Sequence, residues 1–248
     1  MSVNSSVPLT PALSPKEREN RRLHRSEVDA RQIFQVRETV LPWGEGRDEG
    51  ERAAPCPEVS ASPVGSGSSM VRYFGELKRA MEFLAADPRV LFLGQAVACP
   101  GTAMSNTLKD VAPDKLLELP VDEEMQMGMT NGLAIAGLVP VSIFPRWNFL
   151  LLAVNQLVNH LDKFPQMSNG GYRPKVIIRT SIGSERPLHP QYQHVGDFTE
   201  AFRLMCSNIE IIRLDEAWQI FPACQKALER TDGKSTLLVE YGDYHSEK

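Results

Sequence analysis

The chain has 248 residues, 42% hydrophobic and 23% charged, with a formal net charge of -4. This balance suits one large or two small globular domains and lacks the basic footprint of a nucleic-acid binder. No apolar run approaches the roughly 18–20 residues needed to span a bilayer, and the N-terminus lacks the apolar core of a secretory signal.

Composition breaks at Met70. Residues 1–69 are rich in proline, serine, glycine and charge and sustain no helical or strand period, so they bury too little apolar surface to offset ordering entropy. They are expected to be a disordered tail or a mis-assigned start. Residues 9–19 and 41–51 read like translated arms of an intergenic palindrome, because a codon pair for Leu-Thr is the reverse complement of one for Gly-Glu. On the second reading the natural start is Met70, which N-terminal sequencing of natively expressed protein checks.

Residues 70–248 alternate helix and strand. A helix is expected from Phe74 to Ala86, with Leu77, Ala80, Met81 and Leu84 on one side and a stop at Pro88. The apolar run Val90 to Leu93 before Gly94 suits a buried parallel strand. Lys115 to Leu119 reads as a second strand, and Glu123 to Ala136 as a helix ending at Gly137. Strand Val139 to Phe144, helix Phe149 to Phe164 and strand Lys175 to Arg179 follow. Helix Phe198 to Met205, strand Ile209 to Ile212, helix Trp218 to Leu228 and strand Thr236 to Val239 complete the series. Such alternation implies an α/β fold with an open parallel sheet covered by helices on both faces. Ligands then bind beyond the carboxyl ends of the strands.

The candidate chemistry lies in the loops after those strand ends. Asp122, Glu123 and Glu124 open a helix, where acids complement the helix dipole; the functional reading is a carboxylate pressed into a buried cleft. Trp147 and Phe149 belong to an aromatic cluster that can either stack a flat heterocycle or pack the core. His189 and His194 lie in a polar loop, as proton donors or as solvent-facing histidines. No G-x-G-x-x-G follows the first strand and no Walker loop is present, so a self-sufficient nucleotide site is not supported. Cys56, Cys99, Cys206 and Cys224 form neither a C-x-x-C nor a Cys/His cluster. No disulfide framework or metal site is expected, and the cytoplasm is the expected compartment.

Four segments in order resemble the beta subunit of the 2-oxoacid dehydrogenase decarboxylase component and, more distantly, transketolase. They are DPRVLFLG (87–94), PVDEEMQMGMTNGLAIAGLVPV (120–141), NQLVNH (155–160) with MSNGG (167–171), and the Gln193-His194 pair. The second follows the family pattern P-I-S-E-x4-G-x3-G-x-A-x-A-G-x-x-P-V. The resemblance runs from about Tyr73 to Tyr241 and implies the pyrimidine-domain type of thiamine diphosphate-binding fold. It makes Glu123 the carboxylate that hydrogen-bonds the ring nitrogen of the aminopyrimidine and activates thiamine diphosphate. It places Phe149, with Trp147 and Gln95 beside it, against the cofactor. It makes His194, with His189 in reserve, the group for substrate proton transfer or acyl transfer to lipoamide. Gly128 and Gly132 are expected to permit close backbone packing. Gln95 departs from an acidic family position, and Asp122 and Glu124 replace small residues, so the substrate class is not carried over.

In that family a different domain holds the diphosphate and magnesium through a G-D-G followed by an asparagine, which these 248 residues lack. The resemblance therefore implies a split enzyme for 2-oxo acid decarboxylation, dehydrogenation or ketol transfer. Its partner is a diphosphate-binding alpha-type subunit in a heterotetramer, with magnesium held by the partner. Residues near Trp147, Phe149 and Leu150 to Leu152 are expected to be exposed and to form the interface. The alternatives are a non-catalytic binding or regulatory module, or a truncated remnant of a longer beta subunit.

Overall fold

The computed structural model describes residues 67–99, 104–183, 190 and 192–246. The disordered-tail reading of residues 1–69 lies outside these residues, except for the final three. Helix α1 spans Gly67–Ala85, so the organised chain starts slightly before Met70. Tyr73, Leu77, Met81 and Leu84 form its buried face. Its end follows from Pro88, which disfavours helix at the preceding residue, while the Asp87 carboxylate accepts from the Arg89 amide.

Strand β1 (Val90–Gly94) leads through short 3-10 turns to β2 (Leu116–Glu118), then α2 (Glu123–Ile135) and β3 (Val139–Ile143). A helical run follows, expected from its apolar spacing but built irregularly. It comprises α3 (Trp147–Leu150), a 3-10 turn (Leu151–Ala153), a π-helical turn (Asn155–His160), a second 3-10 turn (Leu161–Lys163) and α4 (Phe164–Met167). β4 (Ile177–Ile182), α5 (Thr199–Met205), β5 (Ile209–Arg213), α6 (Ala217–Glu229) and β6 (Ser235–Tyr241) complete the order.

The six strands are all parallel, in the order β2-β1-β3-β4-β6-β5. Alternate strand residues feed two cores, as the pleat requires. Phe92, Val141, Ile177 and Leu238 pack under α1 and α6 with Leu77, Met81, Ile220 and Leu228. On the opposite face Ile178, Ile211, Leu237 and Val239 pack with Met127 of α2, Trp147, Leu157 and Phe202 of α5. The connection leaving β1 contributes Leu108 and Val111 to the first core, and that leaving β3 contributes Leu150 and Leu157 to the second. Adjacent strands whose connections depart to opposite faces leave a crevice between their carboxyl ends. That crevice lies between β1 and β3.

One buried ionic network crosses the sheet. Arg179 of β4 binds Glu240 of β6 through two bonds, Nε to Oε1 at 2.5 Å and a terminal nitrogen to Oε2 at 2.9 Å. Its other terminal nitrogen donates to Thr107 Oγ1 at 3.2 Å, and His245 Nε2 lies 2.8 Å from Glu240 Oε2. The network ties two strands to the turn after β1 and to the 3-10 turn after β6 (Gly242–Ser246). A second buried carboxylate, Asp162, accepts from the Ser207 and Asn208 amides and so fixes the entry to β5. No described helix is long and apolar enough to cross a membrane.

Candidate active site at the strand ends

The three carboxylates that open α2 divide into separate roles. Asp122 is the N-cap, and its side chain accepts from the Met125 amide at 2.9 Å. It satisfies the helix end, so Glu123 is not needed for that task. Glu124 accepts from Asn155 Nδ2 at 3.0 Å and Gln156 Nε2 at 3.3 Å. Both donors lie in the π-helical turn, whose wider winding presents consecutive side chains to one carboxylate. Glu123 turns inward and is 5% exposed. Gln95, just past the end of β1, donates Nε2–H to Glu123 Oε1 at 3.1 Å.

Neutral side chains lock α2 in place. Gln126 donates from Nε2 to Ser142 Oγ and to the Ile143 carbonyl, both at 3.0 Å. Thr130 donates to the same Ser142 oxygen. These buried bonds fasten the first turns of α2 to the end of β3 and set the height of Glu123 above the crevice. Close approach also explains Gly94. A Cβ there would lie 2.5 Å from the Ile143 carbonyl oxygen, at a backbone φ of +154°. Gly94→Ala is expected to cost on the order of 2 kcal/mol, read as a lowered thermal midpoint.

After β3, Ser181 donates to the Pro145 carbonyl at 2.6 Å and holds the next loop against β4. Phe149 is half-buried and stacks on the His194 imidazole, with ring centroids 5.0 Å apart and planes 23° from parallel. His194 sits at φ +62°, and its buried Nδ1 has no hydrogen-bond partner among the described residues. A Cβ built at Gly183 would lie 3.5 Å from the Val195 Cα, so this segment returns over the end of β4.

Of the predicted site residues, the fold therefore brings Gln95 to Glu123 and Phe149 to His194. His189 lies outside the described residues. Trp147 requires correction. It is 0% exposed and packs on Phe202, centroids 4.7 Å apart, and edge-on to Phe198. Its ring belongs to the core and presents no face to a heterocycle. Leu150 is likewise fully buried, so of the expected interface residues Leu151 and Leu152 are the exposed ones. The close backbone packing expected at Gly128 and Gly132 is also absent among the described residues: a Cβ at Gly128 would meet only the Gln156 side chain, at 3.9 Å, and one at Gly132 nothing within 4 Å. Gln126, Thr130 and Ser142 went unnoticed in the sequence because neutral polar residues carry no motif.

Residues 74–242 match the family described as transketolase, pyrimidine binding domain. The chain belongs to that family. Among curated relatives it is similar to the pyruvate dehydrogenase E1 component subunit beta-1, mitochondrial, of Arabidopsis thaliana, with 28% identity over 54% of this chain and 38% of that one. It is also similar to the 3-methyl-2-oxobutanoate dehydrogenase subunit beta of Mycobacterium tuberculosis, with 29% identity over 62% of this chain and 44% of that one. The chain thus spans less than half the length of these two relatives. A solved structure titled "Split gene transketolase, inactive beta4 tetramer" shares the fold at a TM-score of 0.52 and 16% identity, covering 70% of this chain and 51% of that one.

Proposed function

We propose that this chain is the pyrimidine-binding subunit of a two-chain thiamine diphosphate enzyme, with Glu123 as the cofactor-activating carboxylate. One observation carries the reading. In a chain of this family, a buried glutamate stands at the head of α2, beside the crevice between β1 and β3, with the neutral Gln95 amide as its hydrogen-bond partner. A carboxylate has about four lone-pair sites, and Gln95 occupies one, so capacity remains for a ring nitrogen. Among the described residues no cation competes for it. Phe149 offers an aromatic face, now stacked on His194, and flat heterocycles fit such a face. The residues present fit an aminopyrimidine.

When bound, thiamine diphosphate supplies a nucleophilic carbon for attack on a carbonyl. Glu123 holds or exchanges a proton at the ring-nitrogen position. Gln95 places an amide donor where an acid would set two carboxylates against each other. Phe149 orients the ring, and His194 supplies an imidazole on the loop after β4 for proton transfer near the substrate.

The partner in this reading is a diphosphate-binding alpha-type subunit that also holds magnesium, in a heterotetramer with the cofactor at the interface. Support comes from relatives named as beta subunits and from apolar exposure near the site. Val121 is 80% and Leu152 63% exposed, and Met125 and Met129 on α2 are exposed as well. A 2-oxo acid or a ketose is the substrate class. The cytoplasm is the proposed compartment, since Cys99, Cys206 and Cys224 are all unpaired. The test is reconstitution with a G-D-G-containing alpha-type subunit and a measurement of cofactor-dependent decarboxylation or ketol transfer. Activity that needs both chains and the cofactor is expected, and a mixture with no cofactor-dependent activity on either substrate class would remove the reading.

A further inference from the structure

Glu118 ends β2 and pairs in register with Gly94 of β1. Its two oxygens divide between two amides of the loop after β1. Ala96 N–H donates to Oε1 at 2.5 Å and Ala98 N–H to Oε2 at 2.8 Å. Ala96 has φ +54°, a left-handed conformation that costs a non-glycine residue free energy unless its surroundings hold it. Bonds from a carboxylate to backbone amides are charge-assisted and among the stronger kind. Two such bonds from one group set the orientation of the loop as well as its distance.

Gln95 immediately precedes this clamped turn and reaches Glu123. Residues 119–122 join Glu118 to Glu123 along the chain. The hydrogen bonds therefore close a ring that runs from Glu118 through Ala96 and Gln95 to Glu123 and back along the chain. We propose that Glu118 is a positioning residue for the Glu123 site, holding the turn at Ala96 and so aiming the Gln95 amide at the Glu123 carboxylate. This deepens the reading of Glu123 as the cofactor-activating group and rests on it. Without the clamp, Leu119 N–H still donates to the Gly94 carbonyl, so the strand pair survives while the turn beyond it is released. The Gln95 amide then loses its fixed direction.

The experiment uses the full chain alone, by NMR titration of the Gln95 side-chain amide protons. In the wild type these protons are expected to shift as the Glu123 carboxyl titrates, and Glu123→Gln removes that shift and so assigns it. Glu118→Gln, with a folded backbone spectrum, is expected to lose it as well. A shift that persists in folded Glu118→Gln overturns the proposal, as does a wild-type Gln95 signal indifferent to Glu123. If Glu118→Gln does not fold, Glu118→Asp decides: its carboxylate, one methylene shorter, no longer spans to both the Ala96 and Ala98 amides, so the Gln95 shift is expected to shrink. A shift of wild-type size in folded Glu118→Asp overturns the proposal. The cofactor reading fails separately, through undiminished activity of Glu123→Gln with its partner, and that result leaves the Gln95 measurements untouched.

Discussion

Glu123→Gln is expected to lower cofactor-dependent turnover of the reconstituted pair by about 10²–10⁴-fold, the usual reach of a positioned proton-transfer group. The substitution keeps shape and retains an acceptor oxygen toward Gln95, so the contact at 3.1 Å has no structural reason to break. It removes the ability to hold a proton at the ring-nitrogen position. Steady-state turnover and the thermal midpoint, measured on the same preparation, separate the two effects. A loss of rate with an unchanged midpoint is the expected outcome. Wild-type turnover in this variant would show that the chain serves the assembly without activating the cofactor.

The second large effect concerns stability. Arg179 and Glu240 are both 0% exposed. Removing one member of such a pair leaves an uncompensated buried charge and costs about 3–5 kcal/mol. Arg179→Met is therefore expected to lower the thermal midpoint by roughly 10 °C in a chain of this size. The double variant Arg179→Met/Glu240→Leu should recover part of that loss, because apolar replacement of both partners removes the stranded charge while the buried His245 imidazole loses its Glu240 partner. Burial alone would raise the Glu240 pKa, but the Arg179 guanidinium and the hydrogen bond from His245 outweigh it and hold the carboxyl at about 2, below its ordinary 4.5. A folded-state pKa below the unfolded value stabilises the fold above the unfolded pKa, and this contribution fades as pH falls from about 4.5 toward 2. Acid unfolding followed by circular dichroism should therefore show a reduced loss between those values in the double variant.

The irregular helix after β3 shows where pattern reading stops. Apolar spacing over residues 149–164 located a helix and its buried side, yet the chain winds there as 3-10 and π turns. Hydrophobic period records which side faces the core and leaves the winding of the turns open. In the wider turn Asn155 and Gln156 both meet Glu124. Trp147 fails for a related reason. An aromatic residue at a strand end suits a ligand face and a core equally, and the choice fell to Phe198 and Phe202, some fifty residues further along the chain, closing over it.

By itself the sequence determined the alternation of strands and helices, the parallel sheet covered on both faces, and the place of Glu123 at the head of α2, because periodicity, capping chemistry and motif spacing are local properties. The family resemblance singled out Glu123 among the three carboxylates, and tertiary structure alone decided that Gln95 meets it, that Glu118 grips the neighbouring turn and that Arg179 finds Glu240. Each of these depends on groups distant in sequence converging at the strand ends or across the sheet. Only the strand order, set by packing on two faces at once, brings them within hydrogen-bonding reach.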